Sequence, residues 1–308
     1  MDNILVLGAS GFIGHHLIER LMPDHHVIGY SRHAPNTLLS NSNYVHIPGN
    51  FVTEQNFYQI LREYHIHCIY HCISTTTPKE GTAHIVGEGE DNIIPSLRLL
   101  EAASKQDGIK LIFLSSGGTV YGENLGYPSK VGHELHPICT YGIQKRTIEE
   151  YLRYYSANTK LDGCIARISN PYGVMEQIKR TQGIIPIFLK CLQDEQGITL
   201  FGDTVRDYIH IDDVVDALVA IKEYQGKEKI FNVGSGQGVR LSEVIELMEQ
   251  VTGKQFSSIV HQPKRTCDVQ VNILDISTTQ SELGWRPSIP LEDGITRVWH
   301  ALSRISLK

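Results

Sequence analysis

Long hydrophobic runs are missing from this chain. No stretch of its 308 residues approaches the roughly 18 consecutive apolar residues that suggest a membrane span. Metal-ligand spacings are missing too. Six cysteines (Cys68, Cys72, Cys139, Cys164, Cys191, Cys267) lie scattered, mostly in apolar runs, with no CxxC pair and no His/Cys cluster at zinc spacing. They read as buried free thiols in a reducing compartment, and no metal is expected. An excess of basic charge is absent: 28 Lys and Arg against 34 Asp and Glu leave a net charge of −6. That argues against nucleic acid or an anionic membrane surface as a partner. The start, "MDNILVLGAS", passes from an acidic residue into a short apolar run, without the basic opening or the length of a signal peptide. A cytoplasmic, soluble protein is expected. Repeats, low-complexity tracts and long linkers are lacking as well.

What is present is an alternation. "NILVLGA" (3–9), "HVIGYS" (26–31), "CIYHCI" (68–73), "KLIFLSS" (110–116) and the start of "LDGCIARISNPYG" (161–173) read as strands. Helical patterns follow the first at about 11–21, precede the fourth at 92–105, and follow it from about 140. Strands that are apolar throughout, not at every second residue, suit a parallel sheet buried on both faces. Alternating β and α units imply an α/β, Rossmann-type doubly wound sheet. Beyond 170 the pattern breaks into shorter pieces, which reads as a smaller α/β domain packed against the first. The expected division is 1–168, with a return segment near 205–235, and 169–308, with a cleft between them.

In "LGASGFIGHHL", Gly8, Gly11 and Gly14 form a G-x-x-G-x-x-G array between the first strand and the first helix, with Ser10, Phe12 and Ile13 in the same turn. Such glycines allow a tight turn, a close approach to a pyrophosphate, and close packing of helix on sheet. The helix start offers N–H groups and a positive dipole end to the anion. A dinucleotide site is expected. The end of the second strand carries Ser31 and Arg32 in place of the acid that would accept from a ribose 2′-OH. NAD is the expected cofactor, with NADP open from these two residues; Arg32 reads equally as a solvated loop residue. Asn50 sits where the adenine edge could be held.

"TYGIQKRTIEEYL" (140–152) puts Tyr141 and Lys145 on one helix face. With the glycine array and "SSGGTVYG" (115–122), this "YGIQK" resembles the extended short-chain dehydrogenase/reductase superfamily. Within it the chain is most similar to nucleotide-sugar epimerases of the UDP-glucose 4-epimerase group, over nearly its full length. The resemblance implies that Tyr141 is the general base. Lys145 and an oxidised nicotinamide would both favour its phenolate, and Lys145 would also hold the nicotinamide ribose. Aligned on Val120, Tyr121 and Gly122, the group's usual hydroxyl falls on Gly117, so Thr119, or else Ser116, must orient the substrate. The Asp-Glu pair of related 4,6-dehydratases is absent at Gly118 and Thr119. Asn92 fits the asparagine ahead of the group's dimer-forming helix, and a homodimer through 92–105 and 141–155 is implied.

The same resemblance assigns the substrate end, for a UDP-hexose. Asn170 would meet the sugar or diphosphate, Phe201 the uracil, and Arg206 a diphosphate or ribose. Arg265 would bind diphosphate and Asp268 ribose hydroxyls. Asn272 would stand where side-chain size admits or rejects an N-acetylated sugar; being intermediate to small, it is expected to admit an N-acetylhexosamine beside UDP-glucose or UDP-galactose. Asp207 and Asp213 read as structural carboxylates. The implied activity is 4-epimerisation through a 4-keto sugar; the alternative is an NADPH-dependent nucleotide-sugar 4-ketoreductase.

Overall fold

The computed structural model describes residues 1–35, 38–76, 84–123, 127–174 and 183–305. Six strands, β1 (Asn3–Leu7), β2 (His26–Ser31), β3 (Tyr44–Pro48), β4 (Cys68–His71), β5 (Lys110–Ser116) and β6 (Asp162–Ile168), pair in parallel in the order β6-β5-β4-β1-β2-β3. The next strands, β7 (Asn170–Tyr172), β8 (Ile198–Phe201) and β9 (Val205–His210), lie outside this sheet. β10 (Ile230–Val233) returns to pair in parallel with β6, making seven strands. The doubly wound α/β class is therefore as expected.

The continuous apolar runs have a simple cause. Successive strand side chains point to opposite faces, and here both faces are covered. On β1, Ile4 and Val6 face one core while Leu5 and Leu7 face the other. The first core receives α1 (Phe12–Leu21), through Leu17, Ile18 and Leu21. The second receives α2 (Phe57–Glu63), α4 (Ile94–Ser104) and α5 (Thr140–Asn158), through Phe57, Leu99, Ile148 and Leu152 among others. The short helix α3 (Ile85–Glu88) runs through one wide turn, Gly89–Ile93, into α4. Each such side chain contributes about 1.5–3 kcal/mol on burial, so neither strand parity tolerates a polar residue cheaply.

The remaining chain adds α6 (Ile184–Gln193), α7 (Ile211–Glu223), β11 (Gly238–Arg240), α8 (Leu241–Thr252), β12 (Ile259–Gln262), β13 (Val271–Asn272), α9 (Ser277–Leu283) and α10 (Leu291–Ile305). β11, β9 and β13 form a second sheet, with β7 also on β9, and β12 pairs with β8. α6, α8 and α10 enclose a third core around Leu189, Met248 and Ile295. The expected return segment splits: β9 belongs to the second sheet, whereas α7 packs on the first core and β10 joins the large sheet. Asp213 accepts from the Ser288 N–H (2.9 Å), the Ser288 hydroxyl (2.8 Å) and the Ile289 N–H (3.0 Å), and so ties α7 to the chain before α10. Asp207 likewise gathers the Ser235, Gly236 and Leu274 N–H groups. All six cysteines are free thiols; Cys68, Cys139 and Cys164 are buried and the other three half-buried. Among the described residues no helix is long and apolar enough to cross a membrane.

Candidate active site

A cavity of about 1060 Å³ opens where β1, β4, β5 and β6 end, beneath the second sheet. Its place at the carboxyl ends of parallel strands is the one where doubly wound folds bind ligands. Gly11, Phe12, Ile13 and Gly14 line one end, Ser116, Thr119, Tyr141 and Lys145 the middle, and Asn170, Phe201, Arg206, Arg265 and Asp268 the other. Thirteen of the residues singled out in the sequence thus meet around one space.

The glycine turn is fixed by contact. Gly8 has φ +88°, and a Cβ on Gly14 would lie 2.2 Å from the Gly8 carbonyl oxygen, so the start of α1 closes onto the turn only with glycine there. A Cβ on Gly11 would meet only that same oxygen, at 3.1 Å, leaving its outer face open to the cavity. The cradle therefore fits a dinucleotide pyrophosphate against the N-terminus of α1. Gly8 and Ser10 support this turn without lining the cavity, and neither do Ser31, Arg32, Asn50 or Asn92 line it. The Asn50 amide oxygen accepts from the Val52 N–H (3.2 Å). Asn92 is buried and holds the loop after β4, accepting from the Thr75 N–H and donating to the Thr75 hydroxyl, both at 2.8 Å.

In the middle, the Tyr141 phenol is pushed up to about 12, chiefly by burial, with a hydrogen bond from Ser116 acting against the rise. The expected lowering by Lys145 is not supplied by the protein's own groups. Burial pulls the Lys145 ammonium down to about 8, and its Nζ donates to the Leu114 carbonyl (2.8 Å) while lying 4.8 Å from the Phe113 ring centroid. Gly117 shows why its position lacks a hydroxyl: a Cβ there would lie 2.6 Å from Leu274 Cδ1. Ser116 is the hydroxyl that favours the Tyr141 phenolate, whereas Thr119 Oγ1 is buried with no hydrogen-bond partner among the described residues.

At the far end, Arg206 donates to the carbonyls of Val205 (3.0 Å) and Gln270 (3.5 Å) and has no carboxylate partner among the described residues. Burial lowers its pKa, so the site holds a poorly solvated cation. The Arg265 guanidinium covers the Phe201 ring at 3.9 Å, so one ring face expected to meet the uracil is already stacked. Lys264 braces this loop, donating to Glu123 (3.0 Å) and to the Asp268 carbonyl (2.6 Å). Asn170 donates to the Asp207 carbonyl (3.0 Å). Asn272 is buried and donates to the Gly117 carbonyl (2.8 Å), behind the cavity-lining Gly118.

A family model described as the NAD dependent epimerase/dehydratase family matches residues 4–234. The chain belongs to this family. It is 33% identical to a dTDP-4-dehydro-6-deoxyglucose reductase of Escherichia coli, with 96% of each chain covered. It is 30% identical to a UDP-glucose 4-epimerase of Mycolicibacterium smegmatis, over 95% of this chain and 96% of that one. The solved structure of a Thermotoga maritima UDP-glucose 4-epimerase with UDP-glucose superposes with a TM-score of 0.90 at 30% identity, covering 99% and 100%. The epimerase kinship read from the motifs is borne out, and with it the expectation of an epimerase-type enzyme.

Several residues that line the cavity were not singled out in the sequence. Thr75 and Thr76 after β4, Ile184, Ile187 and Phe188 on α6, and Thr204 and Tyr208 beside Arg206 also line the cavity. Gln144, inside "YGIQK", donates to the buried Glu88 (2.6 Å) and accepts from Thr76 (3.4 Å). Its place within the motif was the only signal in the sequence.

Proposed function

We propose that this enzyme is a nucleotide-sugar 4-epimerase that acts on a UDP-hexose, UDP-glucose or UDP-galactose, with NAD bound in residues 1–168 plus the returning α7 and β10. The remainder to residue 308 holds the nucleotide sugar. The observation that carries this reading is the meeting of Tyr141, Ser116 and Lys145 between the glycine turn and the Arg206–Arg265 end of one cavity.

The Tyr141 oxygen takes the proton of the sugar C4 hydroxyl and later returns it. Ser116 steadies that oxygen, and the unpartnered Thr119 hydroxyl meets the sugar beside it. Bound oxidised nicotinamide supplies a hydride acceptor and a positive charge that opposes the burial-raised pKa of the phenol. Lys145 keeps protons for the cofactor ribose beyond its bond to Leu114. Arg206 and Arg265 carry the diphosphate, whose negative charge would fill the place of a carboxylate that Arg206 lacks among the described residues. Asn170, Phe201 and Asp268 line the same end and position ribose and base. The walls between the sheets keep water from the 4-keto sugar. Tyr141→Phe is expected to abolish turnover while dinucleotide binding, followed by calorimetry, stays within about twofold; retained turnover overturns the role.

A second reading, an NADPH-consuming nucleotide-sugar 4-ketoreductase, is favoured by the β2 end without an acid and by the E. coli reductase relative. UDP-galactose converted without added cofactor supports the epimerase; NADPH absorbance lost on a 4-keto nucleotide sugar supports the reductase. The proposal includes a homodimer through α4 and α5, where Ile94, Ile143, Tyr151 and Tyr154 are exposed, checked by sedimentation. We read the enzyme as cytoplasmic, which its six free thiols support.

A further inference from the structure

We propose that Glu123 is a positioning residue for the nucleotide: from the chain after β5 it holds the 264–270 loop, and through that loop Arg206, so that a diphosphate meets both arginines at once. This inference rests on the reading of that end of the cavity as the nucleotide-sugar site. It adds a residue that does not itself line the cavity.

Glu123 leaves a rigid base. Two residues before it, the buried Tyr121 hydroxyl donates to Asn232 (2.7 Å) and accepts from Arg167 (3.0 Å). Gly122 follows with φ +68°, and a Cβ there would lie 1.8 Å from the His136 carbonyl oxygen. Only glycine lets the chain turn this hard against its neighbour, and the next side chain crosses to the substrate end. The loop it meets has neither helix nor strand between Gln262 and Val271, yet it carries Arg265 and Asp268 on the cavity wall. An irregular segment that must present charged groups in register needs outside support.

One Glu123 oxygen supplies it twice. It accepts from the Lys264 ammonium at 3.0 Å and from the Gln270 N–H at 2.8 Å, so both ends of the loop close on the same atom. Lys264 reaches on to the Asp268 carbonyl (2.6 Å), which fixes the chain that bears Arg265 and Asp268. From Gln270 the connection continues. Its carbonyl accepts from the Val205 N–H (3.0 Å) and from Arg206 Nη1 (3.5 Å), and its side-chain amide donates to the Asp203 carbonyl (3.0 Å). Glu123 and Arg206 are thus joined by two hydrogen bonds through one residue. A half-exposed ion pair contributes little to stability by itself. The bond to the Gln270 backbone is what sets the loop, and the effect belongs to binding. The charge of Glu123 works the opposite way. It lies near enough to Arg206 to favour the guanidinium, and so it repels an arriving diphosphate. Support and repulsion differ in sign, which separates them by experiment.

The test is calorimetric titration of the full-length protein, saturated with NAD, with UDP, a readout independent of which reaction is catalysed; KM and kcat on UDP-galactose accompany it. Glu123→Ala removes both bonds and is expected to weaken UDP about 10-fold and raise KM to match, with kcat and NAD affinity within about twofold. Glu123→Asp keeps the charge but falls one methylene short of the two donors, and should lose as much. Glu123→Gln offers an amide oxygen to both donors without the charge, and should bind UDP at least as tightly as wild type. A role through charge alone predicts another order: Asp like wild type, Ala and Gln tighter. That order overturns the proposal, as does a Gln variant as weak as Ala. Equal losses in kcat, NAD affinity and UDP affinity mark a general disturbance of the fold and also sink it. Wild type that binds no UDP overturns the nucleotide-sugar reading as well.

Discussion

Arg167 is buried and Arg206 half-buried beside the cavity, and their partners differ in kind. Arg167, on β6 below the cavity, has a carboxylate: its Nη2 lies 2.7 Å from Glu149, its Nε bonds both Glu149 oxygens, and its Nη1 donates to the Tyr121 hydroxyl (3.0 Å) and the Val131 carbonyl (3.1 Å). Burial opposes its charge, but Glu149 outweighs burial and raises its pKa. Arg206, on β9 above the cavity, bonds two backbone carbonyls and no acid among the described residues, and burial lowers its pKa. A buried cation whose partner is built in belongs to the scaffold. One left without a counter-ion beside a cavity is suited to an anion that arrives from solution.

The sharpest way to break this comparison is to remove each arginine and measure unfolding. Arg167→Met strands Glu149 in the interior and is expected to cost about 3–5 kcal/mol in urea unfolding. Arg206→Met should leave the midpoint unchanged or higher; an equal loss in both variants would end the distinction.

Lys145 offers a test through pH. Its folded-state pKa, about 8, lies below the ordinary 10.5. Below about 8 both folded and unfolded chains hold the proton, and the fold bears the cost of burying it. As pH rises toward 10.5 the folded chain releases the proton first, so stability attributable to this group increases. Lys145→Met should abolish that rise, on the order of 3 kcal/mol over the whole window. The readout is the wild-type minus variant unfolding free energy at about pH 7.5 and 9.5; a difference that does not rise with pH refutes the assignment.

Ligand affinity comes next. Arg206→Met is expected to weaken UDP binding about 30-fold, the loss of one charged hydrogen-bonding partner of roughly 2 kcal/mol. Arg265→Ala should weaken it less, about fivefold or roughly 1 kcal/mol, because its stack on Phe201 is only half-buried. Reversal of this order would place the principal diphosphate contact on the braced 264–270 loop.

How much of this was legible depended on reach along the chain. β1, β4, β5 and β6 were readable because both residue parities are buried, which leaves an unbroken apolar run. β3 was not, since at the sheet edge only Tyr44 of its five residues is buried. β7, β11 and β13 span two or three residues, too few to express a period. In the site, contiguous motifs found the glycine turn and the Tyr141–Lys145 helix. Contacts between distant residues stayed hidden: Leu274 filling the space at Gly117, Arg265 lying over Phe201, and Asn272 turned behind the wall.

The return of β10 governs when this enzyme can come into being. Until residue 233 has left the ribosome, β6 has a bare outer edge, and the Tyr121 hydroxyl lacks the Asn232 side chain that accepts from it at 2.7 Å. Asn232 also donates to the Ser129 and Asp275 carbonyls, at 2.8 and 3.0 Å, so it ties the loop before α5 to the chain before α9 beside the catalytic floor. A nascent chain stopped after β6 would hold the cofactor cradle in an unfinished sheet, so synthesis must run well past the cradle before the fold can hold its ligand.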